Sequence, residues 1–553
     1  MSGQACSFDP SLLDTSRGLL TAPGDLYATL NAHGLYNSMR FVVRLSPEVH
    51  RTLSEFPGGV HAASGVGWEA IQAFSTYLHE TIHWWQHIGS TTGLLLSLSY
   101  PAETHTNFNH LRRLLAEIGP KKPLRTYAEH NHSHGGLRTP GDYATVVVNN
   151  FYDIGLFRFL ITNPERGQQA VSNPYFDCVG HAYHIAYSRI ILNAASTFDE
   201  GLSVLPNPIP WDGEFQALRE AKEEGYYFGS PVRLSPIGAY SIFEGQARFA
   251  QLQYLYFSSG GRLNWDDAKA FGMLGDTYIK AFNAFLKMAE LDWPPSIDHS
   301  TVALFLLVCD MAVNPGKGFP FPLLSPQTFI KDTDPGMRFL FLSRTVATKC
   351  RDTVQLIRAY SREEYAEVSE RLAEALITWS PLTICGEIVR WSKEGAKFRE
   401  LMERHAAADC GAVNVPIQFL FGHYLAFAAD KLHCPEFFCW PGALMAGDRL
   451  RPNSSDLFAR HSPRFIDRAD DETIVPILRD GTDEKTIMET FHQFYGAHVV
   501  YDLTRQWINE EGPFRYDYRW LQPAGTDEEI KAWSDRNFAA AYGVMPDKFE
   551  IIA

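Results

Sequence analysis

The chain has 553 residues, of which 45% are hydrophobic and 20% are charged, a composition that predicts a globular protein with a large core. The formal net charge of −15 at pH 7 argues against nucleic acid as a partner. Residues 1–20 lack the pattern of a signal peptide, and the longest apolar run, Val302 to Cys309, is too short to cross a bilayer. The eight cysteines are irregularly spaced, which is typical of a reducing compartment. We therefore expect a cytoplasmic protein without a membrane partner.

The N-terminal segment, residues 1–55, is predicted to contain one short helix and one strand. The helix covers Asp25 to His33 and ends at Gly34, because glycine takes the left-handed conformation that closes many helices. The strand covers Met39 to Leu45, where β-branched and aromatic residues lie between turn signals.

The next element contains the pattern His-Glu-x-x-His, formed by His79, Glu80 and His83. Residues four apart share one face of a helix, so the two imidazoles can both reach one metal ion. Glu80 lies one residue further round, within reach of a metal-bound water without being a ligand. The pattern therefore predicts a Zn²⁺ site with His79 and His83 as ligands and Glu80 as general base. An apolar stripe supports the helix: Trp68, Ile71, Phe74, Leu78, Ile82 and Trp85. We expect this helix to continue, with a kink, past Gly89 until Pro101.

The residues around this motif resemble the longer signature of the zincin metallopeptidases. That signature has Thr or Val three residues before the first histidine, as Thr76 is here, and uncharged residues within and after the motif. The metzincin variant is excluded, because Gln86 and Gly89 stand where it requires glycine and histidine. The resemblance implies a zincin-like catalytic domain, predicted here at residues 56–315, that cleaves a peptide or protein substrate.

A catalytic zinc usually has a third protein ligand, and the motif alone does not supply it. In the gluzincin branch this ligand is a glutamate on a later helix, followed by small residues. The helix that Ser235 and Pro236 are predicted to begin resembles that pattern, with Glu244 followed by Gly245 and Ala247. The resemblance thus implies Glu244 as third ligand. The open alternatives are Glu200, His181 and His184.

Other candidate residues stay unassigned by the sequence. The resemblance implies a tyrosine or histidine that stabilises the oxyanion of the reaction, and the candidates are Tyr240, Tyr183 and His184. Two further clusters contain metal-ligating residue types. His130, His132 and His134 read as a solvated loop, and His433, Cys434 and Cys439 as partly buried side chains near a turn.

The C-terminal part is predicted to be a helical domain at residues 327–553. Proline and glycine cluster at 314–326, which indicates a boundary. Beyond it, Ser361 with Glu364 and Thr526 with Glu529 each have the spacing of a helix capping box. We expect this part to close one wall of a cleft or to bind a partner.

The sequence thus predicts a mainly α-helical protein with a small β component, a zincin-like catalytic domain and a helical C-terminal domain. The expected activity is that of a gluzincin-like zinc metallopeptidase in which His79, His83 and Glu244 bind Zn²⁺ and Glu80 acts as the base. Two alternatives stay open: a metal-dependent hydrolase of a non-peptide substrate, and a non-catalytic interaction protein that retains the zincin fold. The size and predicted compartment also favour a regulatory protein partner.

Overall fold

The computed structural model describes residues 34–37, 41–56, 59–60, 66–131, 142–469, 473–479, 481–521 and 525–552. Helix accounts for 68% and strand for 3%, which confirms a mainly helical fold with a small β component. The helix predicted at residues 25–33 lies outside the described residues, as do His132 and His134.

The α-helices of the first half are α1 Pro47–Ser54, α2 Trp68–Gly89, α3 Thr91–Ile118, α4 Leu124–Asn131, α5 Tyr143–Thr162, α6 Gln168–Val171, α7 Val179–Phe198, α8 Trp211–Glu220, α9 Ala239–Ser258, α10 Trp265–Ala270, α11 Asp276–Ala289 and α12 Ser300–Ala312. Those of the second half are α13 Phe329–Thr333, α14 Pro335–Thr348, α15 Arg362–Leu376, α16 Pro381–Glu394, α17 Ala396–Ala407, α18 Val415–His433, α19 Pro435–Cys439, α20 Pro441–Leu444, α21 Ser454–His461, α22 Glu484–Asn509 and α23 Asp527–Tyr542. The strands are β1 Gly34–Asn37, β2 Val42–Leu45, β3 Lys121–Lys122, β4 Phe465–Asp467, β5 Ile474–Pro476 and β6 Glu550–Ile551.

Two small sheets join distant parts of the chain. The larger has the order β1-β2-β4-β5, and its central pair is parallel, with Val43 opposite Ile466. The smaller pairs β3 with β6 in parallel. The strand predicted in the N-terminal segment is confirmed as β2, although its partner β4 lies more than 400 residues further along the chain. Asp467 reinforces this contact, because its carboxylate accepts hydrogen bonds from the Leu45 amide (3.1 Å) and the His50 imidazole (2.7 Å).

Helix α2 lies at the centre of the fold, packed against α1, α3, α9 and α18. Its apolar stripe is buried from Phe74 to Trp85, as the periodicity predicts, whereas Trp68 and Ile71 at the start of the helix are half-buried. The helix ends at Gly89, where a Cβ atom would lie 2.4 Å from the Phe427 ring of α18. The prediction that α2 continues past Gly89 to Pro101 is therefore wrong. Ser90 is extended and its hydroxyl accepts the Gly93 amide, so a second helix, α3, begins there and includes Pro101.

The capping predictions are confirmed in the C-terminal part but not ahead of α9. Capping boxes begin α15 at Ser361 and α23 at Thr526. Helix α9 begins at Ala239, three residues after the predicted Pro236, because Gly238 is extended where it passes the end of α5. A Cβ atom at Gly238 would lie 2.4 Å from the Thr162 carbonyl oxygen, which only glycine avoids.

The predicted boundaries between the three segments stay predictions. Packing crosses them in several places: α18 lies against α2 and α3, and α14 lies against α11 and α12.

Among the described residues, α5 alone is long and apolar enough to span a bilayer, and most of its apolar window is buried inside the fold.

Candidate metal centre

Helices α2 and α9 pack side by side and bring three metal-ligating side chains together. The Nε2 atoms of His79 and His83 are 3.2 Å apart. The Glu244 Oε2 atom lies 3.8 Å from His79 Nε2 and 3.6 Å from His83 Nε2. In the part of the chain that the structure describes, this is the one group of three or more such residues with converging ligand atoms. The structure therefore joins Glu244 with the two histidines of the motif, although 161 residues separate it from His83.

The spacing of these donor atoms fits a zinc ion. Zinc lies about 2.0–2.1 Å from imidazole nitrogens and about 2.0–2.2 Å from carboxylate oxygens, so tetrahedral ligand atoms lie about 3.3–3.5 Å apart. The separations of 3.2, 3.6 and 3.8 Å are close to that value. Two imidazoles and one carboxylate also form a typical ligand set of catalytic zinc.

A hydrogen-bonded glutamine fixes the orientation of the His83 ring. Gln86 is one turn further along α2, and its Nε2 atom donates to the Phe243 carbonyl (3.0 Å) and to Gln246 Oε1 (2.9 Å) on α9. Because the amide nitrogen is assigned by these contacts, Gln86 Oε1 is the atom that faces His83 Nδ1 at 2.8 Å. His83 Nδ1 must then carry the proton and donate. His83 Nε2 then faces Glu244 at 3.6 Å, and it is the nitrogen that can bind a metal ion once it has lost its own proton.

His79 has a different environment on the same face of α2. It is 1% exposed, and burial together with the nearby Arg248 guanidinium lowers its pKa well below the usual value. A hydrogen bond that the His79 ring donates to the Gln251 side chain opposes this change. Gln251 in turn donates to the Ser75 hydroxyl at 3.2 Å, which ties α9 to α2 beside the histidine. A neutral imidazole, the form that binds metal, is thus favoured at His79.

Burial also lowers the pKa of His83, but the neighbouring carboxylates raise this pKa by a larger amount. Glu244 and Glu80, with Gln86, raise the pKa of His83 to about 9. Glu80 thus acts electrostatically on the same imidazole, and it is 2% exposed. The predicted base is therefore a buried carboxylate on the helix that carries both histidines.

The alternative third ligands are not part of this group. Glu200 is exposed in the turn after α7. His181 Nε2 lies 3.3 Å from Asp153, and His184 Nε2 lies 3.2 Å from Asp212. His184 also stacks on the Phe215 ring at 4.3 Å, so it belongs to the contact between α7 and α8.

The oxyanion candidates are also separated by the structure. Tyr183 is fully buried, and its hydroxyl donates a hydrogen bond to Asp334 at 2.8 Å, away from the ligand group. Tyr240 is 42% exposed and lies one turn before Glu244 on α9. Of the three candidates, Tyr240 is therefore the one that lies on α9, the helix that carries Glu244.

Sequence reasoning missed two residues beside the histidines. Arg248 is fully buried one turn after Glu244, and its guanidinium lies 3.9 Å from the centre of the Tyr278 ring. The Tyr278 ring meets the His79 ring edge-on at 6.1 Å. The spacing of Glu244 and Arg248, four residues apart on one helix, was a signal that could have identified the arginine. Tyr278 lies on α11 and had no such signal.

Gly245 has a different role from the one its place beside Glu244 suggests. A Cβ atom there would lie 3.2 Å from the Phe305 ring and 3.4 Å from the Ala281 side chain. The glycine therefore allows α9, the helix that carries Glu244, to pack closely against α11 and α12.

Comparison with known proteins gives no relative: no family model, no curated protein and no solved structure matches this chain.

Proposed function

We propose that this protein is a zinc-dependent metallopeptidase of the gluzincin type. The single observation that carries the proposal is the convergence of His79, His83 and Glu244 from two helices with the spacing of zinc ligands. The glutamate of the motif is buried on the same helix as the two histidines and acts electrostatically on His83, which supports its role as general base. A zinc ion held by the three ligands would supply the Lewis acid of the reaction.

The roles of the other side chains follow from their chemistry. Glu80 takes the proton from the attacking water and passes it to the leaving amine, because a buried carboxylate on the helix of the two histidine ligands can do both. Gln86 holds His83 in the tautomer that directs Nε2 at the site. Gln251 and Ser75 orient His79 on the other side. Tyr240 is the proposed stabiliser of negative charge on the substrate carbonyl, from its place one turn before Glu244.

The test is peptide-bond cleavage by the wild type and by Glu80→Gln. Each protein is loaded with one equivalent of zinc and incubated with a proteome-derived peptide library, and new termini are identified by mass spectrometry. We expect reproducible cut sites for the wild type and at least a 100-fold lower rate for Glu80→Gln, with zinc content unchanged. Equal rates for the two proteins would refute the role of Glu80.

Glu69→Gln is the matched control, because Glu69 lies in the first turn of the same helix, away from the ligands. It should cleave at the wild-type rate. If zinc-loaded wild type cuts no peptide but hydrolyses an ester or amide of a small molecule, the substrate class in the proposal is wrong and the metal chemistry stands.

A further inference from the structure

A cleft of about 320 Å³ lies between α5, α4, α6 and the last residue of α22. This volume is in the range of sites that bind small organic molecules. Residues of α5 at helical spacing form one wall of the cleft: Val148, Phe151, Tyr152, Gly155, Leu156 and Phe159. The residues of the metal centre do not line it, so the cleft is a separate site.

The wall that α5 contributes is apolar but only partly covered. Helix α5 is apolar on all its sides, and such a helix is normally buried all round. Here Phe151, Tyr152 and Phe159 are only half-buried. The ring of Tyr175, also in the lining, lies 5.9 Å from the Tyr152 ring and extends the aromatic surface. A ligand with an apolar body would cover this surface.

Gly155 lies in the middle of that wall. Apart from proline, glycine is the least favourable residue in the interior of a helix. The nearest neighbour of a Cβ atom at this position would be Glu103 Oε1 at 3.6 Å, which is an ordinary contact, so packing inside the fold does not require a glycine. Because residues 152 and 159 flank it on the same helical face, a side chain at 155 would project from the wall. The glycine thus leaves room for a ligand.

Arg125 is the one charged residue of the lining, and its guanidinium lies among other lining residues. It is 5.8 Å from the centre of the Tyr175 ring, and its Nη1 atom donates to Asn509 Oδ1 at 3.5 Å. Glu129, which does not line the cleft, accepts from the Nε atom at 2.9 Å. Among the described residues no carboxylate bonds the two Nη atoms, so this edge of the guanidinium can bind a carboxylate of the ligand.

Two amide side chains of the lining add further donors. Asn173 Oδ1 accepts the Tyr175 backbone N–H at 3.0 Å, and Asn509 Oδ1 accepts from Arg125. These contacts assign the amide oxygens, so the NH₂ group of each asparagine is left to donate to a ligand. A cation and two amide donors, with no carboxylate in the lining, are complementary to an anion.

We propose that this cleft binds a small organic monocarboxylate with an aromatic or branched aliphatic body. The carboxylate binds Arg125 and the amides of Asn173 and Asn509, and the body covers the wall of α5 at Gly155. The inference goes beyond the proposed peptidase activity and does not depend on it, since its test has no catalytic readout.

The probe for the test is para-fluorophenylacetate, followed by fluorine NMR line broadening while it is titrated with the full chain at pH 7. We expect saturable binding. The neutral para-fluorophenylacetamide should bind at least about 10-fold more weakly, because it offers no charge to Arg125. Equal binding of the two probes, or no saturable binding of the carboxylate, would overturn the proposal.

Variants locate the bound probe. Arg125→Gln should weaken binding of the carboxylate at least about 10-fold, and Gly155→Leu should abolish it by filling the cleft. Arg113→Gln is the matched control and should bind the probe like the wild type. Like Arg125, Arg113 pairs with a glutamate four residues further on and lies over a tyrosine ring, but it does not line the cleft.

Two outcomes with these variants would also overturn the proposal. One is binding that survives Gly155→Leu, because the probe would then lie elsewhere. The other is equal weakening by Arg113→Gln and Arg125→Gln, because the effect would then be one of general surface charge. Thermal unfolding checks that Gly155→Leu is folded. If it is not, Arg125→Gln decides with the two probes, since the Arg125 side chain is 40% exposed and its replacement leaves the core intact.

Discussion

The hydrogen bond between Gln86 and His83 gives the sharpest test of how the chain prepares a ligand. Gln86→Met keeps the length and burial of the side chain but removes both its acceptor and its donor. His83 then loses the hydrogen bond that fixes its tautomer. The Phe243 carbonyl and Gln246 Oε1 on α9 lose the amide that donates to them. Loss of such a partner typically lowers metal affinity about 10–100-fold, or about 1.4–2.7 kcal/mol. The measurement is the zinc Kd by competition with a chromogenic chelator.

The control for this variant is Gln253→Met. Gln253 is, like Gln86, a buried glutamine; it lies on α9 and donates to the Tyr360 hydroxyl at 3.3 Å, away from the ligands. It should destabilise the fold by about 1 kcal/mol while leaving zinc affinity at the wild-type level. If Gln86→Met and Gln253→Met bind zinc equally tightly, the reasoning about His83 is refuted.

Three further perturbations have expected outcomes. Glu244→Gln should weaken zinc binding at least about 10-fold, whereas Glu200→Gln at an exposed turn should not; equal Kd values would remove Glu244 from the ligand set. Burial raises the pKa of Asp334 from 3.8 to about 6, so its ionisation costs stability as pH rises through that window. The free energy of unfolding of Asp334→Asn minus that of wild type should therefore increase by up to about 3 kcal/mol between pH 4 and pH 7, and a flat difference would contradict the raised pKa. Asp310→Asn should lower the free energy of unfolding by about 3–5 kcal/mol, because Asp310 is the buried partner of the Lys431 ammonium; a change below 1 kcal/mol in denaturant unfolding would contradict this.

The central helix and its active face were predictable because their signals are local. The spacing of His79 and His83 and the apolar stripe from Trp68 to Trp85 both follow from the helical period, and the structure has one helix there. The capping boxes at Ser361 and Thr526 were equally local, and both are present. Glu244 could be suggested but not chosen from the sequence, because its approach to the histidines depends on packing between helices.

The errors arose where distant packing decides local structure. The break at Ser90 lies where Gly89 packs directly against the Phe427 ring, which is 338 residues away in the chain. The late start of α9 depends on the passage of Gly238 past the end of α5. The pairing of β2 with β4 has no sequence signature, since each strand is short. In each case the chain segment alone does not contain the partner.

The most direct test of the central claim is the zinc content of the purified, untagged chain by elemental mass spectrometry. We predict about one zinc per chain for the wild type, and the same for a control with His130, His132 and His134 replaced. The double variant His79→Ala/His83→Ala should contain none. Absence of zinc from the wild type after zinc loading, or zinc that is lost with the 130–134 histidines instead, would contradict the account.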